Sequence, residues 1–171
     1  VSQLNREGTV TNTHVARIVE RGLAYRERTN LVFDIQQGRT ERQLKAFLRG
    51  EAASPPERFD RDTVGIDVDG DRVSTENRLD LNGLAKGYIV DVAASTLEGF
   101  GRQGFVSGGG DMSPPTGPVA IENPHGDEKP LKTLDTDWHV ATSGGYRRSR
   151  NGTDHVYDPT TGRIGSRHES V

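Results

Sequence analysis

Apolar residues recur at helical spacing in three parts of the chain. They fall on one face over residues 13–28, about 40–49 and 84–97, a pattern that predicts three amphipathic helices. Asn12 stands where an N-cap belongs before the first helix. Thr40 and Gln43 have the spacing of a capping box, and Gly50 follows at the position of a C-cap. We therefore expect the second helix to begin at Thr40.

Between the second and third helices the period of the pattern changes to two. Apolar and polar residues alternate over 64–68, Asp69 and Gly70 have the composition of a hairpin turn, and Val73 begins a return strand. A further short strand is expected over 79–81. Beyond residue 100 the pattern predicts short strands over 104–107, 119–122, 131–134, 139–142 and 155–157.

Helices at the front and strands at the back predict an α+β fold. We expect N-terminal helices packed on a mostly antiparallel sheet with glycine-rich loops, in a single domain over residues 1–171. The core of this domain is thin, because only 31% of the residues are hydrophobic and the mean hydropathy is −0.71. A formal net charge of only −3 and the periodic apolar blocks argue against disorder.

Composition excludes some chemistry. The chain has no cysteine, which rules out disulfides, zinc–thiolate sites and thiol nucleophiles. The mildly acidic balance gives no electrostatic argument for a nucleic-acid partner, and the basic cluster at 147–150 is expected to be a solvated turn. No run approaches the roughly 18 apolar residues of a membrane span. No secretory signal is visible, which says little because the chain begins without Met.

The first of three glycine-rich stretches runs D-L-N-G-L-A-K-G from Asp80 to Gly87. A strand is expected to pass here through a turn into the third helix. Backbone N–H groups at a helix start, together with Lys86, form a natural site for an anion. An ordinary strand-to-helix turn with a solvated lysine explains the same residues, and short glycine motifs often match by chance.

The second stretch is S-G-G-G-D, which contains Gly108, Gly109, Gly110 and Asp111. Consecutive glycines let a backbone approach a ligand closely, or adopt positive φ values that side chains would block. A flexible loop ending in an Asp turn is an equally good interpretation.

The third stretch, A-T-S-G-G-Y, contains Thr142, Ser143 and Gly144, whose hydroxyl and N–H groups suit phosphate oxygens. It is followed by H-V-Y-D-P-T-T-G, which begins at His155. The D-P-T-T-G segment is a turn signature in its own right, and a lone histidine is more often structural or solvated than catalytic.

The order and spacing of these segments resemble the FAD:protein FMN transferase family, the ApbE-type flavin transferases. Three further segments extend the resemblance over nearly the whole chain. Ser2–Asn5 is similar to the family's Ser-x-Leu-x-x-Asn region, Thr29–Asp34 to its Thr-Gly-Gly-x-Phe-Asp with both glycines replaced, and Val119–Pro124 to a strand ending in Asp-Pro.

The resemblance implies Mg²⁺-dependent transfer of FMN from FAD to a Thr or Ser hydroxyl of an acceptor protein, with release of AMP. It implies His155 as the catalytic base or acceptor-orienting residue, and the Ala85 carbonyl as a Mg²⁺ ligand. Asp91 either supports that helix or is an ordinary helix residue. The implied cofactor-binding residues are Lys86, Gly108, Gly109, Gly110, Asp111, Thr142, Ser143 and Gly144.

The resemblance also implies a limit, because the family's main metal-ligating Asp lies beyond the stretch similar to Glu169–Val171. We therefore expect impaired transfer, and the alternative is a protein that binds FAD without transferring FMN. A non-flavin interaction domain is a third hypothesis, whereas a nucleotide-triphosphate enzyme is disfavoured since no G-x-x-x-x-G-K-[ST] loop is present. The implied acceptor is a redox-pump or flavoprotein subunit. The implied location is extracytoplasmic or membrane-associated through an N-terminal anchor, with a cytoplasmic location left open.

Overall fold

A computed structural model describes residues 1–57, 59, 65–102, 104–123, 126, 129–144 and 149–165. The chain divides into two compact units, one comprising Val1–Leu84 and Arg148–Ser166 and the other Ala85–Arg147 and Arg167–Val171. Within the described residues, no helix combines the length and the apolar character needed to cross a bilayer.

The first part of the chain contains most of the helices. In chain order its elements are α1 (Ser2–Glu7), β1 (Thr9–Thr11), α2 (Thr13–Arg28), α3 (Gly38–Leu48), β2 (Ile66–Asp69), β3 (Arg72–Thr75) and α4 (Asn82–Gly99). The remaining elements are the short strands β4 (Ser107–Gly108), β5 (Asp111–Met112), β6 (Val119–Ile121), β7 (Lys132–Leu134), β8 (Val140–Ala141), β9 (Ser149–Arg150), β10 (Thr153–Asp154), β11 (Tyr157–Asp158) and β12 (Arg163–Ile164).

The first unit is built on a three-stranded antiparallel sheet of order β1-β3-β2. Val73 at its centre pairs with Val10 on one side and Val68 on the other, and α1 and α2 pack against these strands. The largest completely buried apolar side chains are Leu4, Ile35, Leu44, Val19 and Val73. Two further antiparallel pairs, β9 with β10 and β11 with β12, complete this unit.

Helix α2 has the predicted bounds and the predicted cap, since the Asn12 side chain accepts the Val15 N–H at 3.0 Å. The prediction that the second helix begins at Thr40 is wrong. Helix α3 begins at Gly38, and Thr40 lies buried inside its first turn, where its hydroxyl donates to the Gln37 side chain. The earlier start depends on Gly38, because a Cβ there would overlap the Arg78 carbonyl.

The β2–β3 hairpin is present as predicted, with Asp69 opposite Arg72, although residue 64 lies outside the described residues. The strand predicted over 79–81 is absent. Both backbone groups of Leu79 are instead taken by the Asn5 amide, which accepts its N–H and donates to its carbonyl, each at 2.7 Å. Leu79 and Leu81 are buried, so the apolar pattern reports burial and not strand pairing.

The second unit contains most of α4, a three-stranded antiparallel sheet of order β4-β5-β8, and the pair β6–β7. Its strands are two or three residues long, shorter than the sequence pattern predicts. The predicted α+β class with antiparallel strands is confirmed, although the strands form several small sheets. The expectation of one domain over residues 1–171 stays a prediction.

Candidate functional site

The backbone N–H groups at the start of α4 already have hydrogen-bond partners within the chain. Asp80 accepts the Asn82 N–H at 2.7 Å and the Asn82 side-chain amide at 2.9 Å, while the Leu84 N–H donates to the Leu81 carbonyl. The acidic side chain caps the helix, as is favourable at an N-terminus. The backbone N–H groups of Asn82 and Leu84 are therefore not free for an anion. Lys86 is the other group of this stretch that can attract one.

The second glycine-rich stretch forms a two-residue β-hairpin. Ser107 pairs with Met112 and Gly108 with Asp111, and the loop between them consists of Gly109 and Gly110, with φ of 62° and 96°. Positive φ at both loop positions matches the twist of a hairpin and favours glycine. The positive φ values expected of the triple glycine are therefore present at Gly109 and Gly110, in a hairpin turn.

Lys86 connects α4 to this hairpin. Its Nζ donates to the Gly109 carbonyl at 3.2 Å and forms an ion pair with Asp111 Oδ2, also at 3.2 Å. A Cβ on Gly108 would lie 3.2 Å from Val90 of α4, so the hairpin packs closely on the helix. Close packing and two polar contacts hold a positive charge beside the glycine turn.

The third glycine-rich stretch meets the second through β8. Ala141 pairs with Asp111 across the sheet, and the Thr142 N–H donates to the Gly110 carbonyl at 3.1 Å. Thr142 and Ser143 are exposed. Three segments separated in sequence therefore converge in the second unit, as expected if they serve one site.

Ala85 and Asp91 also lie on α4. Asp91 Oδ1 lies 3.2 Å from His139 Nε2, just before β8, a contact that fits an ordinary role in tying the helix to the sheet. Among the described residues, no group of three or more His, Cys, Asp or Glu side chains is placed to hold a metal ion. Ala85 offers only a backbone carbonyl.

His155 belongs to the first unit, between β10 and β11. Its ring is half-buried, and its Nδ1 is buried without a hydrogen-bond partner in the described part of the chain. The turn after it has the predicted form, because Asp158 accepts bonds from Thr160 and Thr161. The Thr160 side-chain hydrogen bond is the main cause that lowers the Asp158 carboxyl pKa.

One polar cluster in the first unit is not apparent from the sequence. The Lys45 Nζ lies 2.8 Å from Glu41 Oε1 and 3.2 Å from Asp80 Oδ2. Burial acts to lower the Lys45 pKa, but the two carboxylates outweigh it and raise the pKa above its ordinary value. Burial and the nearby Glu41, Asp80 and Asp34 together raise the pKa of Tyr157. In the sequence, the four-residue spacing of Glu41 and Lys45 is the one feature that indicates part of this cluster.

Residues 1–171 match the model of the ApbE family. Over 115 residues the chain is 33% identical to the FAD:protein FMN transferase of Vibrio cholerae serotype O1, a match that covers 57% of this chain and 34% of the relative. A solved structure of a mutant of the flavin transferase ApbE from Vibrio cholerae superposes with a TM-score of 0.69 and 25% identity, over 99% of this chain.

The apo flavinyl transferase ApbE of Pseudomonas stutzeri gives a TM-score of 0.60 over 91% of this chain and 55% of its own, and at 24% identity this likeness supports the fold alone. The present chain spans 64% of the length of the matched Vibrio cholerae structure.

Proposed function

Because this chain is a member of the ApbE family, we propose that it transfers FMN from FAD to a Thr or Ser hydroxyl of an acceptor protein. The new link is a phosphoester and the leaving group is AMP. The observation that carries the proposal is the convergence of three glycine-rich segments, in which Lys86 contacts Gly109 and Asp111 while Thr142 contacts Gly110.

The pyrophosphate of FAD concentrates negative charge, so its binding needs cations and N–H donors. Lys86 supplies an ammonium with three donors, of which Gly109 and Asp111 occupy two. The lysine side chain is 52% exposed, so a phosphate oxygen can reach the remaining donor. Thr142 and Ser143 add exposed hydroxyl groups on the neighbouring strand end.

In the proposed reaction the acceptor hydroxyl oxygen forms a bond to the FMN-side phosphorus. The bond from that phosphorus to the bridging oxygen breaks, and its electron pair stays on that oxygen, which leaves as part of AMP. The hydroxyl proton passes to a base, for which we assign His155. Its buried Nδ1 lacks a partner in the described part of the chain, and such an atom costs free energy unless a ligand or water supplies one.

Dependence on Mg²⁺ is part of the proposal, because a metal ion would stabilise the charged phosphates. The described residues do not by themselves fit a complete site: Mg²⁺ takes six oxygen ligands, Asp111 is already paired with Lys86, and no cluster of three side-chain donors is present among them. The steps above therefore rely on the chain's own side chains alone.

The test is to incubate the chain with FAD, Mg²⁺ and an acceptor domain that carries a Thr/Ser target motif. Intact-mass spectrometry measures FMN on the acceptor while AMP release is followed in parallel. We expect both signals, and we expect their loss in the His155→Ala variant and with a chelator. The matched control is His14→Ala, which removes an exposed histidine of α2. Transfer that survives in His155→Ala would remove that residue from the mechanism.

A second candidate is an FAD-binding protein without transferase activity. The ion pair of Asp111 with Lys86 favours it, because that carboxylate is then engaged by the protein and not by a metal ion. Saturable quenching of FAD fluorescence without FMN on the acceptor would support this candidate over transfer. The absence of both signals would contradict both functions.

We also propose a redox-pump or flavoprotein subunit as the acceptor and a reaction site outside the cytoplasm or at the membrane. Cell fractionation followed by in-gel flavin fluorescence would test this. The expected result is a flavinylated band that depends on this protein in the membrane or extracytoplasmic fraction. A band confined to the cytoplasm would contradict it.

A further inference from the structure

A cavity of about 570 Å³ lies in the first unit, between the end of α1, the start of α3 and the loop that follows β3. Four arginines line it: Arg6, Arg39, Arg42 and Arg78. None of its lining residues belongs to the proposed cofactor-binding set. We refer to it as the arginine cavity.

The charge of the arginine cavity is not balanced by the protein. Arg6 pairs with Glu7, with 3.1 Å between Nη2 and Oε1. Across the described residues, Arg39, Arg42 and Arg78 form no ion pair. Glu76 is the one remaining acidic residue that lines the cavity. Three guanidinium groups therefore face one unpaired carboxylate.

The position of Arg39 at the start of α3 makes the electrostatic energy of this arrangement less favourable. It lies in the first turn of α3, where the side chain of the N-cap residue, Gln37, does not cap the helix. The N-terminus of a helix carries partial positive charge, so a cation there is unfavourable and an anion is favourable. The acidic residue of the same turn, Glu41, is already paired with Lys45, and a local rule broken in this way is typical of a binding site.

The backbone around the cavity is fixed in advance. The Gly38 N–H donates to the Arg78 carbonyl at 3.1 Å, which holds the start of α3 against the loop. The Arg78 N–H donates to Asn77 Oδ1 at 2.8 Å, and the buried Asn77 amide reaches the Gln36 carbonyl. A preformed site loses little conformational freedom when a ligand binds.

We propose that the arginine cavity binds a small molecule that carries phosphoryl groups. Guanidinium groups match phosphate oxygens with paired N–H donors, and the volume falls within the range of roughly 300–1,000 Å³ typical of small-molecule sites. The lining is mostly polar and charged, so recognition rests on the anionic groups of the ligand.

The test uses inorganic pyrophosphate as the probe, in isothermal titration calorimetry of the full chain at low salt. We expect saturable binding of pyrophosphate in the arginine cavity, weakened roughly tenfold or more in each of Arg39→Gln and Arg78→Gln because each loses one charge-assisted contact. Circular dichroism verifies that these variants fold. The matched control is Arg49→Gln, near the other end of α3, whose partner is Glu51 and which does not line the cavity.

Two further comparisons make the outcome decisive. Citrate should bind more weakly than pyrophosphate, and equal affinity would overturn the phosphoryl class. The proposed cofactor site also offers donors to pyrophosphate, so Lys86→Ala is measured as well: binding that is lost in Lys86→Ala but not in Arg39→Gln would assign the anion to that site and overturn the inference. Absence of saturable binding would overturn it as well.

Thermal unfolding gives an independent readout. Without an anion, Arg39→Gln should raise the Tm, because it removes an unpaired cation from the start of α3. At one pyrophosphate concentration, the Tm of the unmodified chain should rise more than that of the variant. A lower Tm for Arg39→Gln in anion-free buffer would indicate a structural role for the arginine and contradict the proposal.

Discussion

Lys86 and Asp111 form an ion pair, with 3.2 Å between Nζ and Oδ2, in which the lysine is half exposed and the carboxylate is 17% exposed. A partly exposed pair of this kind contributes only about 0.2–1 kcal/mol to folding. Its importance is positional, since it holds a positive charge beside the Gly109 carbonyl and the strand end that carries Thr142.

Replacing Lys86 by Ala should weaken FAD binding more than it weakens the fold. Loss of one hydrogen bond to a charged group costs roughly 1.5–3 kcal/mol, which corresponds to a tenfold to hundredfold rise in Kd. Fluorescence titration of FAD measures this change. Lys132→Ala, an exposed lysine of β7 in the same unit, serves as the control. Equal affinities in all three proteins would remove Lys86 from the cofactor site.

The two glycines at 87 and 109 should respond to Ala in opposite directions. Gly109 has φ of 62°, so Gly109→Ala should destabilise the chain by about 1–2 kcal/mol. Gly87 lies inside α4 with no atom near its missing Cβ, so Gly87→Ala should stabilise it by about 0.5–1 kcal/mol. Urea unfolding measures both values. Stabilisation in both variants would show that the hairpin loop does not hold its positive φ in solution.

Tyr157 should make the protein sensitive to alkali. Its pKa is raised, mainly by burial and then by the carboxylates of Glu41, Asp80 and Asp34. The folded state therefore favours the protonated hydroxyl. The resulting stability is fully present below the unfolded pKa of about 10 and is lost as the pH rises above it. Between pH 9 and pH 11.5, the Tm of Tyr157→Phe should fall less than the Tm of the unmodified chain.

The control for that measurement is Tyr25→Phe, because Tyr25 is 41% exposed. It should follow the unmodified chain across the pH range. A Tyr157→Phe chain that loses as much Tm as the control would show that another group governs the alkaline transition.

Arg150 should be a major stabilising residue of the first unit. Its Nη1 donates to the Phe47 carbonyl at 2.6 Å and to the Ala52 carbonyl at 3.0 Å, and its guanidinium lies 4.8 Å from the Phe47 ring centroid. Arg150→Ala should cost roughly 2–4 kcal/mol, as these contacts satisfy carbonyls at the end of α3. Urea unfolding measures this cost. Arg49→Ala at the same helix end should change stability by about 0.5 kcal/mol or less.

Periodicity and capping rules located α2 correctly because both depend on neighbouring residues, as the Asn12 cap illustrates. They failed at Thr40, where the start of α3 depends on contact between Gly38 and Arg78, forty residues away. They also located α4, predicted over 84–97 and observed at Asn82–Gly99, but not the face that it buries. Of its predicted apolar stripe Tyr88 is buried, whereas Ile89 and Val92 are exposed.

The candidate site was likewise predictable where it depends on neighbouring residues and not where it depends on distant ones. The glycine run indicated positive φ values near 108–110, which is a local property, but the two-residue hairpin that residues 107–112 form was not predicted. The basic cluster at 147–150 was expected to be a solvated turn, and within its described part this is wrong for Arg150, whose partners lie about a hundred residues earlier. No local pattern brings Arg39 and Arg78 to one cavity either. Local rules cannot report contacts that only the fold creates.

The Gly109–Gly110 loop has a stereochemical consequence. At φ of 62° the backbone of Gly109 occupies a region that is strained for an L-residue and relaxed for its mirror image. A chain assembled by ligation with D-alanine at this position would therefore keep the hairpin and restrict the unfolded chain, gaining about 0.4–1 kcal/mol. The handedness of a single methyl group thus decides whether this turn is strengthened or strained.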